Sequence, residues 1–247
     1  MDDSLKKLEG ALGVKVISSA NKFSRRNKVQ LIEAVSGANI KQLYVIKEHL
    51  HTSAANEVFI LKTLRQQGFS VPEVLWYDNS VIIMPYIRGQ LLADVLESSD
   101  RGEQLWIDEL AQWLFKLHRL MRSNNRLGLC MSDLNLRNFI FDGQKIYGLD
   151  FESLCFFPPE RDLGVLCAFI LNNDPMFTNW KYDLCRSLIS SYEALSLSKG
   201  KSEISYSSVW FYLIEEMQAA AKRREKQRQV LNTHIEQLSY SRLFRQD

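Results

Sequence analysis

The sequence changes character near Met84, and this change limits the folds that the chain can adopt. Before Met84, short segments rich in Val, Ile and Tyr are separated by Asn, Ser, Gly and Lys, a composition typical of strands and turns. Beyond it, apolar residues recur at helical spacing. The sequence therefore predicts an α+β protein in which a small strand-rich lobe precedes a larger, mostly helical lobe.

The first lobe has the predicted order β-β-β-α-β-β. Its helix is predicted over residues 56–67, because Val58, Leu61 and Leu64 recur at helical spacing and Gly68 closes the segment. These elements predict a small antiparallel sheet carrying one helix. The predicted strands are Val14–Ser18, Val29–Val35, Gln42–Glu48, Val74–Tyr77 and Val81–Met84.

A hinge is predicted over residues 85–89, where Pro85 removes a backbone donor and Gly89 admits conformations that other residues resist. The predicted division is an N-terminal lobe over residues 1–84 and a C-terminal lobe over 90–247. A helix near the start of the second lobe is predicted from an apolar stripe. The stripe comprises Trp106, Leu110, Trp113, Leu114, Leu117 and Leu120.

Composition excludes several classes of protein. The chain has 247 residues, is 46% hydrophobic and has a formal net charge of +2, which is ordinary for a folded protein and argues against a nucleic-acid partner. The longest apolar run, Val165–Leu171, is far shorter than the roughly 20 residues of a membrane-spanning helix. The first ten residues contain no apolar signal segment. We therefore expect a cytoplasmic protein without a membrane span.

The cysteines and histidines do not predict a metal centre. Cys130, Cys155, Cys167 and Cys185 form no C-x-x-C pair, and the histidines lie at no spacing typical of zinc ligands. We therefore expect neither a zinc site nor a disulfide framework.

The stretch from Cys130 to Gly164 contains the residues suited to chemistry. Two strand-like triplets, Phe139–Phe141 and Lys145–Tyr147, are joined through Asp142-Gly143, a pair favoured at hairpin turns. A hairpin closed there brings its open ends together. We therefore expect Asn138 and Asp150 to be neighbours.

An amide oxygen beside a carboxylate forms a site of hard oxygen ligands, which Mg²⁺ prefers. Asp133 begins the loop that leads to Asn138 and is expected to face such an ion. The residues therefore predict a magnesium site at Asn138 and Asp150, with Asp133 placed to act as a base.

Three motifs carry a resemblance to a known family. They are Asp133-Leu-Asn-Leu-Arg-Asn138, Leu149-Asp150-Phe151-Glu152 and Asp162-Leu163-Gly164. Together they resemble the catalytic core of the aminoglycoside phosphotransferase and choline kinase group, within the protein-kinase-like superfamily. The resemblance implies a two-lobed protein-kinase-like fold and covers most of residues 10–175.

The resemblance also implies roles for residues of the first lobe. Lys47 resembles the third-strand lysine that holds the α- and β-phosphates of the nucleotide, and Glu57 resembles its helical ion-pair partner. Met84, Tyr86 and Ile87 lie in a run similar to the hinge that binds adenine. ATP and Mg²⁺ are the implied cofactors.

In the second lobe the resemblance implies that Asp133 accepts or orients the proton of an acceptor hydroxyl, while Asn138 and Asp150 hold magnesium. Asp162 is expected to brace the catalytic loop by accepting backbone N–H groups. Asn135 stands where many protein kinases have Lys, and eleven residues separate Asp150 from Asp162, too few for a long activation segment. We therefore expect a kinase that phosphorylates a hydroxyl of a small molecule.

Two departures from the family pattern keep other functions open. Met131-Ser132 replace the usual His-Gly before Asp133, and the segment Ser18–Asn27 contains no glycine, although glycine lets a backbone approach phosphates closely. One alternative is a pseudokinase with a nucleotide-binding or scaffolding role. Another is an atypical protein kinase.

Overall fold

A computed structural model describes residues 2–22, 24, 26–98, 105–121, 127–198 and 204–244. The chain forms two compact units. Unit 1 comprises Met1–Arg88 together with Tyr147–Glu152, and unit 2 comprises Gly89–Ile146 together with Ser153–Asp247. The predicted α+β class, with a small antiparallel sheet and a larger helical part, is confirmed. The hinge over residues 85–89 stays a prediction.

Unit 1 is built on an antiparallel sheet that, in the described part of the chain, has five strands in the order β1-β2-β3-β5-β4. Its strands are β1 (Val14–Lys22), β2 (Asn27–Ser36), β3 (Lys41–His49), β4 (Trp76–Tyr77) and β5 (Val81–Pro85). Its helices are α1 (Asp3–Leu12), before the sheet, and α2 (Ala55–Gln66), between β3 and β4. The predicted strand and helix order of this lobe is therefore present.

Helix α1 is an addition to the prediction of one helix in this lobe. Asp2 caps its start by accepting the Ser4 N–H, and Gly13 ends it in the left-handed conformation, which glycine adopts without strain. Leu8 of α1 is fully buried and packs in a core with Ile32 of β2. The helix therefore closes one face of the sheet.

Strand β1 is longer than predicted. Residues Ser18–Lys22 continue the strand and pair with Glu33–Val29 of β2, after an irregularity in register between Val16 and Ser18. The connection to β2 is thus limited to residues 23–26, of which 23 and 25 lie outside the described residues. The glycine-free segment is therefore mostly strand.

Unit 2 combines short strands with the remaining helices. Strand β6 (Gln90–Leu91) is followed by α3 (Leu92–Ser98), α4 (Leu105–Arg119), β7 (Gly128–Met131) and β8 (Phe139–Phe141). Strand β9 (Ile146–Gly148) crosses the sequence boundary between the units and precedes β10 (Leu154–Phe157). The later helices are α5 (Glu160–Asn172), α6 (Asn179–Leu197), α7 (Tyr206–Arg223), α8 (Arg228–Gln237) and α9 (Tyr240–Leu243).

Helix α5 lies in the core of unit 2 and packs closely on α7. A Cβ atom at Gly164 of α5 would lie 2.5 Å from the Val209 carbonyl oxygen and 2.8 Å from the Leu213 nitrogen. Only glycine permits this approach of the two backbones. The contact fixes the start of α5, which carries Asp162.

None of the helices in the described part of the chain is both long and apolar enough to span a membrane.

Candidate active site

Lys47 is the centre of a charged cluster within unit 1. Alternation along β3 turns it into the protein, where it is 7% exposed. Its Nζ lies 2.7 Å from Glu57 Oε2 of α2 and 2.5 Å from Asp150 Oδ1. Glu152 Oε1 lies 3.4 Å from the same ammonium. A buried cation is tolerated only with such partners.

The electrostatics of this cluster favour a charged lysine. Burial by itself lowers the pKa of Lys47, but the negative charges of Glu57 and Asp150 and the hydrogen bonds that they accept outweigh it, so that the pKa is raised. Lys47 is therefore an ammonium at neutral pH. This is the state in which a lysine binds phosphate oxygens.

Two asparagines hold the segment that carries Asp150. Asn27 of β2 donates a side-chain hydrogen bond to Glu152 Oε1, and Asn56 of α2 donates to the Glu152 carbonyl oxygen at 2.7 Å. Asp150 itself has a φ of 61°, a left-handed conformation that aspartate tolerates better than most residues. The segment Asp150–Glu152 is thus anchored to β2, β3 and α2.

In unit 2, Asp133 and Asn138 lie at the two ends of one tight loop. The Asn138 Nδ2 donates to the Asp133 carbonyl oxygen at 2.6 Å. Asn135 starts the 3₁₀ turn Leu136–Asn138 by accepting the Arg137 N–H at 2.8 Å. The Asn138 amide is buried and oriented through its nitrogen, so its oxygen is the atom suited to a metal ion.

Asp162 braces the strand that leads into this loop. Its fully buried carboxylate accepts the Met131 N–H at 3.3 Å and contacts His118 Nε2 at 3.2 Å. Arg161 contacts Asp162 at 3.0 Å and donates to the carbonyl oxygens of Met131 and Ser132 at 3.0 and 3.3 Å. These contacts support the backbone where the usual histidine of the motif is replaced by Met131.

The predicted adenine-binding residues lie at the end of the sheet in unit 1. Met84 belongs to β5 and is opposite Val45 of β3, and the Tyr86 N–H donates to the Leu43 carbonyl oxygen at 3.0 Å. Ile87 follows, close to the sequence end of this part of the unit. Their role in adenine binding stays a prediction.

The structure thus brings Lys47, Glu57 and Asp150 together in unit 1, and Asp133 with Asn138 in unit 2. Asn138 and Asp150 belong to different units, and their adjacency stays a prediction.

Several contacting residues were not identified from the sequence. They are His49, Asn27, Asn56 and Arg161, and the contact of the motif residue Glu152 with Lys47 was not predicted either. An available signal was the alternation of β3, which puts His49 on the same face as Lys47.

Among the residues that the structure describes, two clusters have metal-ligating side chains within 4.8 Å of one another, but their chemistry does not favour a metal ion. In the cluster of His118, Cys130 and Asp162, burial raises the pKa of the Cys130 thiol, which disfavours the thiolate needed for ligation. In the cluster of His49, Glu57 and Glu152, the ammonium of Lys47 already lies against both carboxylates.

The chain has a strand lysine paired with a helix glutamate, an aspartate after a hairpin, and a loop with Asp and Asn five residues apart. Residues of these types are the ones that phosphoryl transfer uses in protein-kinase-like enzymes. Together with the small antiparallel sheet and the larger helical unit, they define the class: the chain has a two-lobed, protein-kinase-like fold and is kinase-like.

Within this class the family is shown by sequence. The profile of the RIO domain matches residues 7–154, which is more than half of the chain. The chain belongs to the RIO domain family.

One curated relative is the KEOPS complex subunit Bud32 of Pyrococcus abyssi (strain GE5 / Orsay), which is 33% identical over 98 residues. The match covers 38% of this chain and 41% of that protein. The matched region therefore spans about two fifths of the relative's length.

Solved structures show the same fold at low sequence identity. An ADP-bound aminoglycoside phosphotransferase, APH(2″)-Ib, superposes with a TM-score of 0.64 at 13% identity, covering 99% of this chain and 100% of that one. Choline kinase from Cryptosporidium parvum Iowa II gives a TM-score of 0.62 at 12% identity, covering 96% and 90%. These likenesses show the fold alone, and together with the RIO domain match they support the protein-kinase-like superfamily.

The comparisons correct the expected acceptor. The prediction of a kinase that phosphorylates a small-molecule hydroxyl is wrong, because the RIO domain and the Bud32 relative point to an atypical protein kinase or ATPase. The aminoglycoside phosphotransferases and choline kinases are structural neighbours. The short interval between Asp150 and Asp162 indicates that a long activation segment is missing, but it does not exclude a protein acceptor.

Proposed function

We propose that this chain is an ATP- and Mg²⁺-dependent atypical protein kinase that phosphorylates a protein partner or hydrolyses ATP in its presence. The observation that carries the proposal is the buried contact of Lys47 with Glu57 and Asp150 in a chain of the RIO domain family. The Bud32 relative is named as a subunit of a complex, which supports a protein as the partner.

In the proposed reaction each lobe contributes separate groups. Lys47, held by Glu57, binds the α- and β-phosphates, while the backbone of Met84, Tyr86 and Ile87 binds adenine. Asp133 accepts or orients the proton of the attacking hydroxyl or water. Positioning and charge stabilisation provide most of the catalysis in phosphoryl transfer, so little covalent chemistry is required of the protein.

The residues present fit a magnesium ion. Asp150 offers a carboxylate that is partly exposed, at 44%, and Asn138 offers an amide oxygen whose nitrogen is already engaged. Both are hard oxygen ligands of the kind that Mg²⁺ prefers. Asp150 and Asn138 would hold the ion, which would neutralise charge on the phosphates. Lys47 would then exchange its contact with Asp150 for the phosphates.

The proposal predicts ATP turnover that depends on both Asp133 and Asp150. The experiment measures ADP release and transfer of ³²P from γ-labelled ATP to proteins of a cell extract, with Mg²⁺ present. Replacing Asp133 or Asp150 by Asn should lower turnover by about 100-fold or more, since a base and a metal ligand are removed.

Asp3→Asn is the matched control, because the Asp3 side chain is 80% exposed on α1 and its loss should leave turnover unchanged. Label on a protein band supports the kinase function, and ADP release without labelled protein supports the ATPase function. Equal turnover in the wild type, Asp133→Asn and Asp150→Asn would contradict the proposal.

A further inference from the structure

His49 lies beside Lys47 in the same buried cluster. The two residues are two positions apart on β3, so their side chains point to the same face of the sheet. His49 is 5% exposed, and its backbone N–H donates to the Ser80 carbonyl oxygen at 2.7 Å. The backbone at His49 is therefore anchored within unit 1, and its imidazole is buried there.

Glu57 is shared between these two neighbours. Its Oε2 lies 2.7 Å from Lys47 Nζ and 3.0 Å from His49 Nε2. Among the described residues, the approach of His49 Nε2 to Glu57 Oε2 is not aligned as a hydrogen bond. Since these two buried atoms face one another at 3.0 Å, a small rotation of the imidazole would complete a hydrogen bond between them.

The partner of the second ring nitrogen bears on which atom of His49 carries the hydrogen. Nδ1 lies 3.2 Å from the Thr52 hydroxyl. When the hydroxyl donates to Nδ1, the hydrogen of the imidazole is on Nε2 and points to the Glu57 carboxylate. In that tautomer Thr52 orients His49 so that its Nε2–H points to Glu57 Oε2, 3.0 Å away.

We propose that His49 is a positioning residue that holds the Glu57 carboxylate against Lys47. The inference rests on the proposed ATP-dependent function, because Lys47 is the group that would bind the phosphates. Without His49, Oε2 of a carboxylate that is only 3% exposed loses a partner. Glu57 then restrains Lys47 less well.

The first test compares substitutions that keep or remove the donor. The amide nitrogen of Gln reaches about the position of Nε2, whereas that of Asn lies near Nδ1. In His49→Leu and His49→Asn we expect kcat/KM for ATP to fall about tenfold, as for one lost hydrogen bond to a charged group. His49→Gln should recover most of the activity.

His51→Leu is the matched control, since His51 is exposed and only two residues away, and its activity should equal that of the wild type. Equal losses in His49→Gln and His49→Asn would overturn the inference. So would wild-type activity in His49→Leu. If the wild type itself neither binds nor turns over ATP, the proposed function fails, and the second test decides separately whether His49 donates to Glu57.

The second test does not require turnover. The ¹⁵N NMR shifts of the imidazole in the nucleotide-free protein identify which nitrogen carries hydrogen, and the His49→Gln spectrum assigns the signal. A hydrogen on Nε2 is expected in the wild type. A neutral ring with its hydrogen on Nδ1 would contradict the proposed donation to Glu57, whatever the activity of the variants.

Discussion

Lys181 of α6 shows how burial acts on a single cation. Its side chain is fully buried and donates to the carbonyl oxygen of Asn173, with the Asn173 side-chain oxygen 3.3 Å away. Burial lowers its pKa to about 8, although the charges of Asp174 and Glu97 oppose the shift. Lys47 has direct ion pairs, whereas Lys181 has none within the part of the chain that the structure describes. Desolvation therefore has the largest effect on the pKa of Lys181.

The lowered pKa predicts a pH dependence of stability. Below about pH 8 the folded state holds a buried charge that is disfavoured relative to the unfolded chain, where the pKa is 10.5. The unfolded state binds more protons between these values, so this penalty declines as pH rises. The free energy of unfolding of the wild type minus that of Lys181→Met should increase by about 2 kcal/mol from pH 7.5 to 9.5.

Urea denaturation of both proteins at each pH measures this difference. Other titrating groups are common to both proteins and cancel in it. If the difference between the two free energies of unfolding does not change with pH, or falls as pH rises, the pKa of Lys181 is not lowered in the folded protein.

At the scale of elements, the close contact between α5 and α7 depends on one glycine, Gly164. Gly164→Ala would place a methyl group 2.5 Å from a backbone oxygen of α7, which cannot move aside as a flexible side chain can. We expect a loss of about 2–3 kcal/mol in the free energy of unfolding. Urea denaturation measures it.

Gly10→Ala is the matched control, because Gly10 lies on the exposed side of α1 and no heavy atom lies within 4 Å of its added Cβ. Alanine is the better helix former, so this variant should gain about 0.5–1 kcal/mol. Equal effects of the two substitutions would contradict the close packing of α5 on α7.

Local sequence patterns predicted most elements of unit 1, and the elements that they did not predict have physical explanations. The Val-, Ile- and Tyr-rich composition of β2 and β3 and the spacing of Val58, Leu61 and Leu64 identified strands and a helix. Helix α1 was missed although Asp2, Leu8 and Gly13 carry its capping and packing signals. The end of β1 was missed because Ser18–Lys22 is polar and is a strand through its pairing with β2.

The residues of the candidate site could be predicted where they belong to motifs that follow one another in a fixed order along the sequence. Lys47, Glu57 and Asp150 could be identified from spacing and resemblance, and the structure brings them together. The hydrogen bonds from Asn27 and Asn56 to Glu152 join residues about a hundred positions apart in the sequence. No local sequence pattern reveals such contacts. The acceptor class was wrongly predicted, because the residues for phosphoryl transfer do not by themselves distinguish a small-molecule acceptor from a protein. The match to the RIO domain is what corrected it.

At the scale of the whole molecule, binding of nucleotide should be visible as stability. A ligand that binds only the folded state at 100 times its Kd adds about 2.7 kcal/mol, which for a chain of this size corresponds to a rise in Tm of about 5–10 °C. We expect this rise with ATP and Mg²⁺ together. Differential scanning calorimetry measures it.

The rise should be much smaller with ATP in EDTA, and with Mg²⁺ present it should be smaller in Asp150→Asn than in the wild type. Asp3→Asn should behave as the wild type. A rise that is unaffected by EDTA and by Asp150→Asn would show that nucleotide binding does not use the predicted magnesium site.

The assignment of Tyr147–Glu152 to unit 1 has a consequence for dissecting the protein. A fragment that stops at Arg88 would contain Lys47 but neither Asp150 nor Glu152, so a buried ammonium would lose two neighbouring carboxylates. Expressing the amino-terminal lobe alone would therefore yield an incomplete folding unit. A fragment that contains all of unit 1 would need residues 147–152 as well. They could be fused to it through a short linker or added as a separate peptide.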